Sequence, residues 1–171
     1  MASSFITGFE MVSKVFRAAA PLVVLMFAFA SFAFPVFAQD AQPQLPQEEL
    51  NVQSGETAHR FQVEIAATDR QRSRGLMFRE EMAADHGMLF IFETEGDRYF
   101  WMKNTPLPLD IIYIAASGDI VSIAADTTPY SEKTIPSGAP AQYVLELNAG
   151  TAAKLGIDVG DKVSSPSMAS D

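Results

Sequence analysis

The chain has 171 residues, 48% of them apolar, enough for one globular domain and short of two. It is acidic, with 12 Lys and Arg against 21 Asp and Glu and a net charge of −9. Such a surface repels phosphate backbones and anionic lipid headgroups, which argues against nucleic acid as a partner. Cysteine is absent, which excludes disulfides, thiolate nucleophiles, iron–sulfur clusters and thiolate zinc sites.

The amino terminus holds much of the apolar content. Eight of the 13 Phe precede Ala38. Lys14 and Arg17 form a basic flank, Ala18 to Phe34 is apolar, and Val36-Phe37-Ala38 puts compact residues at −3 and −1 before Gln39. Pro35 stops the helix just ahead of that point. This is the pattern of an export signal over residues 1–38, cleaved after Ala38. An uncleaved anchor is the competing reading, since a run of about 17 residues is at the short end of what spans a bilayer. Either way the remainder is expected outside the cytoplasmic membrane, periplasmic or secreted, touching the membrane only through this segment if it is retained. The charge of residues 39–171, with 10 basic and 20 acidic side chains, is −10.

Residues 39–48 are rich in Gln and Pro and predict a flexible lead. Leu50 to Val52 predicts a short strand, with a turn at Ser54-Gly55-Glu56. From His59 to Ala66 the chain alternates, with Phe61, Val63 and Ile65 on one face and Arg60, Gln62 and Glu64 on the other; that is a half-buried strand. Thr68 and Gln71 have capping-box spacing and Gly75 is placed to end a helix over 69–74. Gly87 to Phe92 is an apolar run of strand length. Glu93 to Asp97 predicts a turn, Arg98 to Met102 an aromatic strand, and Asn104 to Pro108 an irregular segment, because neither proline can donate to a ladder. Asp110 to Ile114 and Ile120 to Ala124 flank Ser117-Gly118-Asp119 as a hairpin. Residues 126–141 predict a long surface loop, Tyr143 to Leu147 a strand, Ala149 to Leu155 a helix closed by Gly156, Lys162-Val163 a last strand, and residues 164–171 a disordered tail. The fold expected over 49–163 is a mainly antiparallel β-sandwich or distorted barrel with two short helices. Its core would draw on Phe61, Val63, Ile65, Leu89, Ile91, Ile112, Ile114, Val121, Ile123, Val144 and Leu147.

The segment Trp101-Met102-Lys103-Asn104-Thr105 joins the only Trp to a cation, an amide and a hydroxyl where a strand ends. Loops on a rigid scaffold can present such groups to a ligand. Together with Phe61-x-Val63-Glu64-Ile65-Ala66, Arg74-Gly75-Leu76-Met77-Phe78-Arg79, Gly87-Met88-Leu89-Phe90, Pro108-Leu109-Asp110-Ile111, Gly118-x-Ile120, Tyr143-Val144-Leu145-Glu146-Leu147 and Gly160-Asp161, it resembles the domain of unknown function 192 family over about residues 49–163. The resemblance implies a single, mainly β domain, exported or free-standing, and no activity.

Within that match Arg79, Trp101, Lys103, Asn104, Asp110 and Glu146 form a candidate ligand-binding set. Glu146 lies between Leu145 and Leu147 in a strand and so faces away from them. If that face is covered, its carboxylate needs a partner, for which Arg79 and Lys103 are the candidates. The set would either bind a small polar ligand, glycan or peptide in the cell envelope, or pin the loops to the sheet as an ion-pair lattice. A binding module without catalysis is the leading expectation. A polysaccharide hydrolase using Asp110 and Glu146 with Lys103 is the first alternative. A copper carrier using Met77, Met82, His86, Met88 and Met102 as soft donors is the second. No cofactor signature, metal motif, nucleophile elbow or phosphate-binding loop is present, so no cofactor is expected.

Overall fold

A computed structural model describes residues 40–168. The signal segment expected over 1–38 lies outside the described residues. Nine strands form: β1 Gln47–Ser54, β2 Thr57–Ala66, β3 His86–Gly96, β4 Tyr99–Phe100, β5 Leu109–Ile114, β6 Ile120–Ala124, β7 Ile135–Pro136, β8 Ala141–Asn148 and β9 Lys162–Ser164. The two helices are α1 Asp69–Arg74 and α2 Thr151–Leu155. Seven strands make one sheet in the order β6-β5-β8-β3-β2-β1-β9, and β4 pairs with β7 in a two-stranded ribbon. Every neighbour in the large sheet is antiparallel except β2 and β3, which run parallel.

The sheet curls into a half-barrel, and its two edges are tied together. Asp119 bridges to Lys162, Ile120 N donates to Asp161 O (2.8 Å), and Val163 N donates to Gly118 O (2.8 Å). Closing an edge satisfies backbone groups that would otherwise template aggregation.

Alternation along the strands sends side chains to two apolar clusters. Phe61, Val63, Leu89, Ile112, Ile114, Leu145 and Leu147 face inward with Leu50 and Val52. Met88, Phe90, Leu109, Ile111, Tyr113 and Val144 face outward and are buried there as well, against Leu76 and Met102. A strand covered on both faces reads as an unbroken apolar run, which accounts for Gly87 to Phe92. Val144 therefore belongs to the outer cluster rather than the inner core, and Val121 packs against the same outer cluster.

Other expectations change in detail. The helix over 69–74 forms with both halves of the capping box and Gly75 as its C-cap. β3 continues through Glu93 to Gly96 with a register shift after Ile91, so the expected turn there is strand. The aromatic strand contracts to Tyr99–Phe100, because Met102 N donates instead to Ser131 O in the facing loop. The lead before β1 is held rather than free. Gln42 Nε2 donates to Gly75 O (2.8 Å) and Leu45 N to a Glu64 carboxylate oxygen (2.9 Å). The start of the tail is held rather than free: a 3₁₀ turn over Pro166–Met168 brings Ser167 N and Oγ to the Glu48 carboxylate (3.0 and 2.7 Å).

Candidate functional site

The connections between β2 and β3 and between β3 and β5 lie over the outward face of β3, β8 and β5. Capping at both ends fixes α1, and Gly75 lets it close onto the sheet. At φ 47° a side chain is strained, and a Cβ there would stand 3.2 Å from the Phe90 ring. From the other side the β4–β7 ribbon delivers Phe100, which meets Phe90 and Tyr113 edge to face at 5.1 and 5.9 Å between centroids. The Tyr113 hydroxyl anchors the ribbon by donating to Ile135 O (2.8 Å).

Between these covers is a cavity of about 320 Å³. Phe90, Phe92, Phe100 and Trp101 supply aromatic wall, with Leu76 and Met77 beside them, and Glu146 is the only acidic lining residue among the described residues. Glu146 is 5% exposed and stands on β8 between Met88 of β3 and Ile111 of β5. Its carboxyl has neither a hydrogen-bonding side chain nor a cation as partner among the described residues, and burial pushes its pKa up to about 8. At neutral pH it holds its proton. Burial, and secondarily the Glu146 charge, also raise the Tyr113 phenol above its ordinary range.

Cations gather near the mouth despite the acidic composition. Arg72 and Arg98 both lie over the Phe92 ring, at 5.0 and 4.0 Å from its centroid. Arg72 donates to Ile91 O (2.7 Å) and pairs with Asp69, and Arg98 Nε donates to Ala141 O (3.0 Å). Burial, and then the Arg72 charge, lower the Arg98 pKa. Arg74 also lines the cavity; its guanidinium lies 4.4 Å over the Phe78 ring with no carboxylate partner among the described residues. Tyr99 and Trp101 expose large aromatic surface at the rim, 67% and 46% accessible.

Of the six residues singled out in the sequence, Trp101 and Glu146 line this cavity. Lys103 stands beside it, its Nζ 5.1 Å from the Trp101 ring and 3.5 Å from Glu132. The other three are elsewhere. Arg79 pairs with Glu64 on β2, not with Glu146, because its loop descends two strands away. Asn104 takes a positive φ of 54° to turn the chain, and its carbonyl accepts from Phe78 N (2.7 Å). Asp110 is on the inward face. It is opposite Leu147 while its neighbour Ile111 is opposite Glu146, so the two carboxylates point to different sides of the sheet. The Asp110 carboxylate instead accepts from Asp126 N (2.9 Å), Gly150 N (3.1 Å) and Ala152 N (2.9 Å), holding the start of α2. The acid pair that a hydrolase would need is therefore not formed.

The methionines offered as soft donors are largely packing. Met88 and Met102 are fully buried in the outer cluster, and Met102 Sδ accepts from Thr127 Oγ1 (3.1 Å). His86 Nδ1 lies 2.9 Å from Asp85. Sequence reasoning missed Arg74, Phe90 and Phe100. The available signal was the apolar run through Phe90, which requires a covering layer on the side that Glu146 faces.

The comparisons with known proteins agree on fold and family. Residues 50–165 match the model of the domain of unknown function 192 family, described as "Uncharacterized ACR". A Sinorhizobium meliloti 1021 protein, described provisionally as a transcription regulator, is 42% identical with a TM-score of 0.71, over 72% of this chain and 97% of its own. A protein of unknown function from Novosphingobium aromaticivorans DSM 12444 is 38% identical with a TM-score of 0.69, over 77% of this chain and 89% of its own. No curated protein matches the chain. By the family match over most of its described length, the chain belongs to the domain of unknown function 192 family.

Proposed function

We propose that this protein is an exported binding module whose ligand is a small polar molecule seated in the aromatic cavity over Glu146. The observation that carries this reading is the unpartnered, buried Glu146 carboxyl at an opening to solvent. A buried ionisable group without a partner costs the fold stability, and such groups concentrate at functional sites. Aromatic walls with a few polar groups are the usual make-up of a small-molecule pocket, and about 320 Å³ suits a small ligand better than a protein surface. Hydrolysis by an acid pair is disfavoured because Asp110 points to the other face of the sheet from Glu146. Export rests on the pattern of residues 1–38 alone. The net charge of −9 opposes a DNA partner.

The test is a thermal-shift screen with envelope glycans, short peptides and small polar metabolites, followed by Trp101 fluorescence titration of each hit. A ligand of this cavity raises the unfolding midpoint and shifts the indole emission, and Glu146→Gln weakens both. Hits unaffected by Glu146→Gln would refute the assignment of the site.

A further inference from the structure

The occupant of the cavity can be narrowed, on the premise of the binding role just proposed. The floor is the Glu146 carboxyl, which has no cation paired to it among the described residues. The walls are the rings of Phe90, Phe100 and Trp101, and Arg74 lines the cavity with no acid paired to it among the described residues. Aromatic faces are electronegative and attract ammonium groups, as Lys103 already shows over Trp101 at 5.1 Å. The Arg74 guanidinium, 4.4 Å over the Phe78 ring, has its fork of N–H donors to offer a carboxylate or phosphate.

We propose that the cavity takes a small zwitterion, with an ammonium group lodged among Phe90, Phe100 and Trp101 over Glu146 and an acidic group on Arg74. A simple amine would have to pass Arg72 and Arg74 at the mouth, and it would leave the Arg74 charge, unlike that of Arg72 with its Asp69 partner, unbalanced. A simple carboxylic acid would find no cation at the floor. Only a ligand bearing both charges completes both half-formed pairs, Glu146 giving up its proton to solvent as the ammonium group enters, and each pair strengthens as water leaves. The charges of the ligand are separated by a short chain, since both ends must fit in about 320 Å³.

Three probes of matched length decide it by calorimetry on the purified protein at pH 7: 5-aminopentanoate, pentylamine and pentanoate. The zwitterion is expected to bind at least about tenfold more tightly than either half-ligand, a difference a titration resolves readily. Glu146→Gln should remove its advantage over pentanoate, and Arg74→Gln its advantage over pentylamine, with thermal midpoints reporting that both variants are folded. Equal affinity for zwitterion and pentanoate overturns the proposal, as does an advantage that survives Glu146→Gln. Failure of every probe to saturate below about 10 mM, weaker than any useful site of this kind, also overturns it. If the probes fail while an oligosaccharide shifts Trp101 emission in a Glu146-dependent way, the binding role stands and the zwitterion falls. If no glycan, peptide or metabolite does so either, both fall.

Discussion

Glu64 and Glu146 occupy one cross-strand row on the outward face of the sheet, with Met88 between them. Both are buried, at 4% and 5% exposure, yet only one is matched. Glu64 has the Arg79 guanidinium on both oxygens and the Leu45 N–H at 2.9 Å. Glu146, two strands along, has the open cavity. The same covering loop that satisfies the first carboxylate stops short of the second. A structural ion-pair lattice would have closed both, so this asymmetry separates a stabilising contact from a candidate site.

The first prediction concerns pH. In the folded protein Glu146 holds its proton up to about pH 8, whereas an unfolded glutamate loses it near 4.5. Between those values the native state binds the extra proton, so stability falls as pH rises. Glu146→Gln should abolish that slope, gaining on the parent by roughly 2–4 kcal/mol between pH 5 and pH 8, at about 1.4 kcal/mol per pH unit. Tyr113, the facing phenol, titrates above this window and does not contribute. Urea unfolding of both proteins at the two pH values checks it. Parallel stability curves would contradict it.

Removing the matched acid should behave differently. Glu64→Ala leaves Arg79 half-buried beside a backbone donor with no acceptor, and about 3–5 kcal/mol of destabilisation is expected. Replacing both partners, Glu64→Leu with Arg79→Met, should recover much of that loss, because the penalty is for an unpaired charge. Denaturant midpoints of the singles and the double supply the cycle.

Asp110 is expected to be a fold determinant. Three backbone N–H groups lose their acceptor in Asp110→Ala, two of them at the start of α2, for a cost of roughly 2–4 kcal/mol. Ligand affinity, measured at a temperature where the variant is still folded, should be unchanged. A loss of binding without loss of stability would instead put Asp110 in the site.

A steric prediction tests the register that positions Glu146. A Cβ on Gly87 would lie 2.6 Å from Glu146 O and 2.7 Å from a Leu147 methyl, so β3 and β8 must separate to admit it. Gly87→Ala should therefore destabilise by about 1–3 kcal/mol, as overpacking does, and weaken ligand binding. Calorimetric unfolding compared with Trp101 titration measures both effects.

Most of the fold was legible because its signals are local. Period-two alternation located β2, Thr68 and Gln71 located α1, and Ser117-Gly118-Asp119 located the β5–β6 turn. The parallel pairing of β2 with β3 was not legible, since it depends on where the intervening chain crosses. Glu146 and Trp101 were recognisable as a carboxylate opposite two leucines and a lone indole at a strand end. Their partners were not. Whether Arg79 meets Glu64 or Glu146 depends on which strands neighbour which, and the face of Asp110 depends on a one-residue register. Residues 39–48 illustrate the limit of composition: the segment reads as solvated, yet Gln42 and Leu45 are held by Gly75 and Glu64, contacts far away in sequence.

The account depends above all on an uncompensated carboxyl beneath the aromatic walls. Carbon-13 NMR of side-chain carboxyls, with Glu146→Gln for assignment, reads it directly. The Glu146 resonance should titrate near pH 8 and move when ligand enters. A midpoint near 4.5, the ordinary value, would mean that solvent or a cation already satisfies this group, and the site would lose its basis.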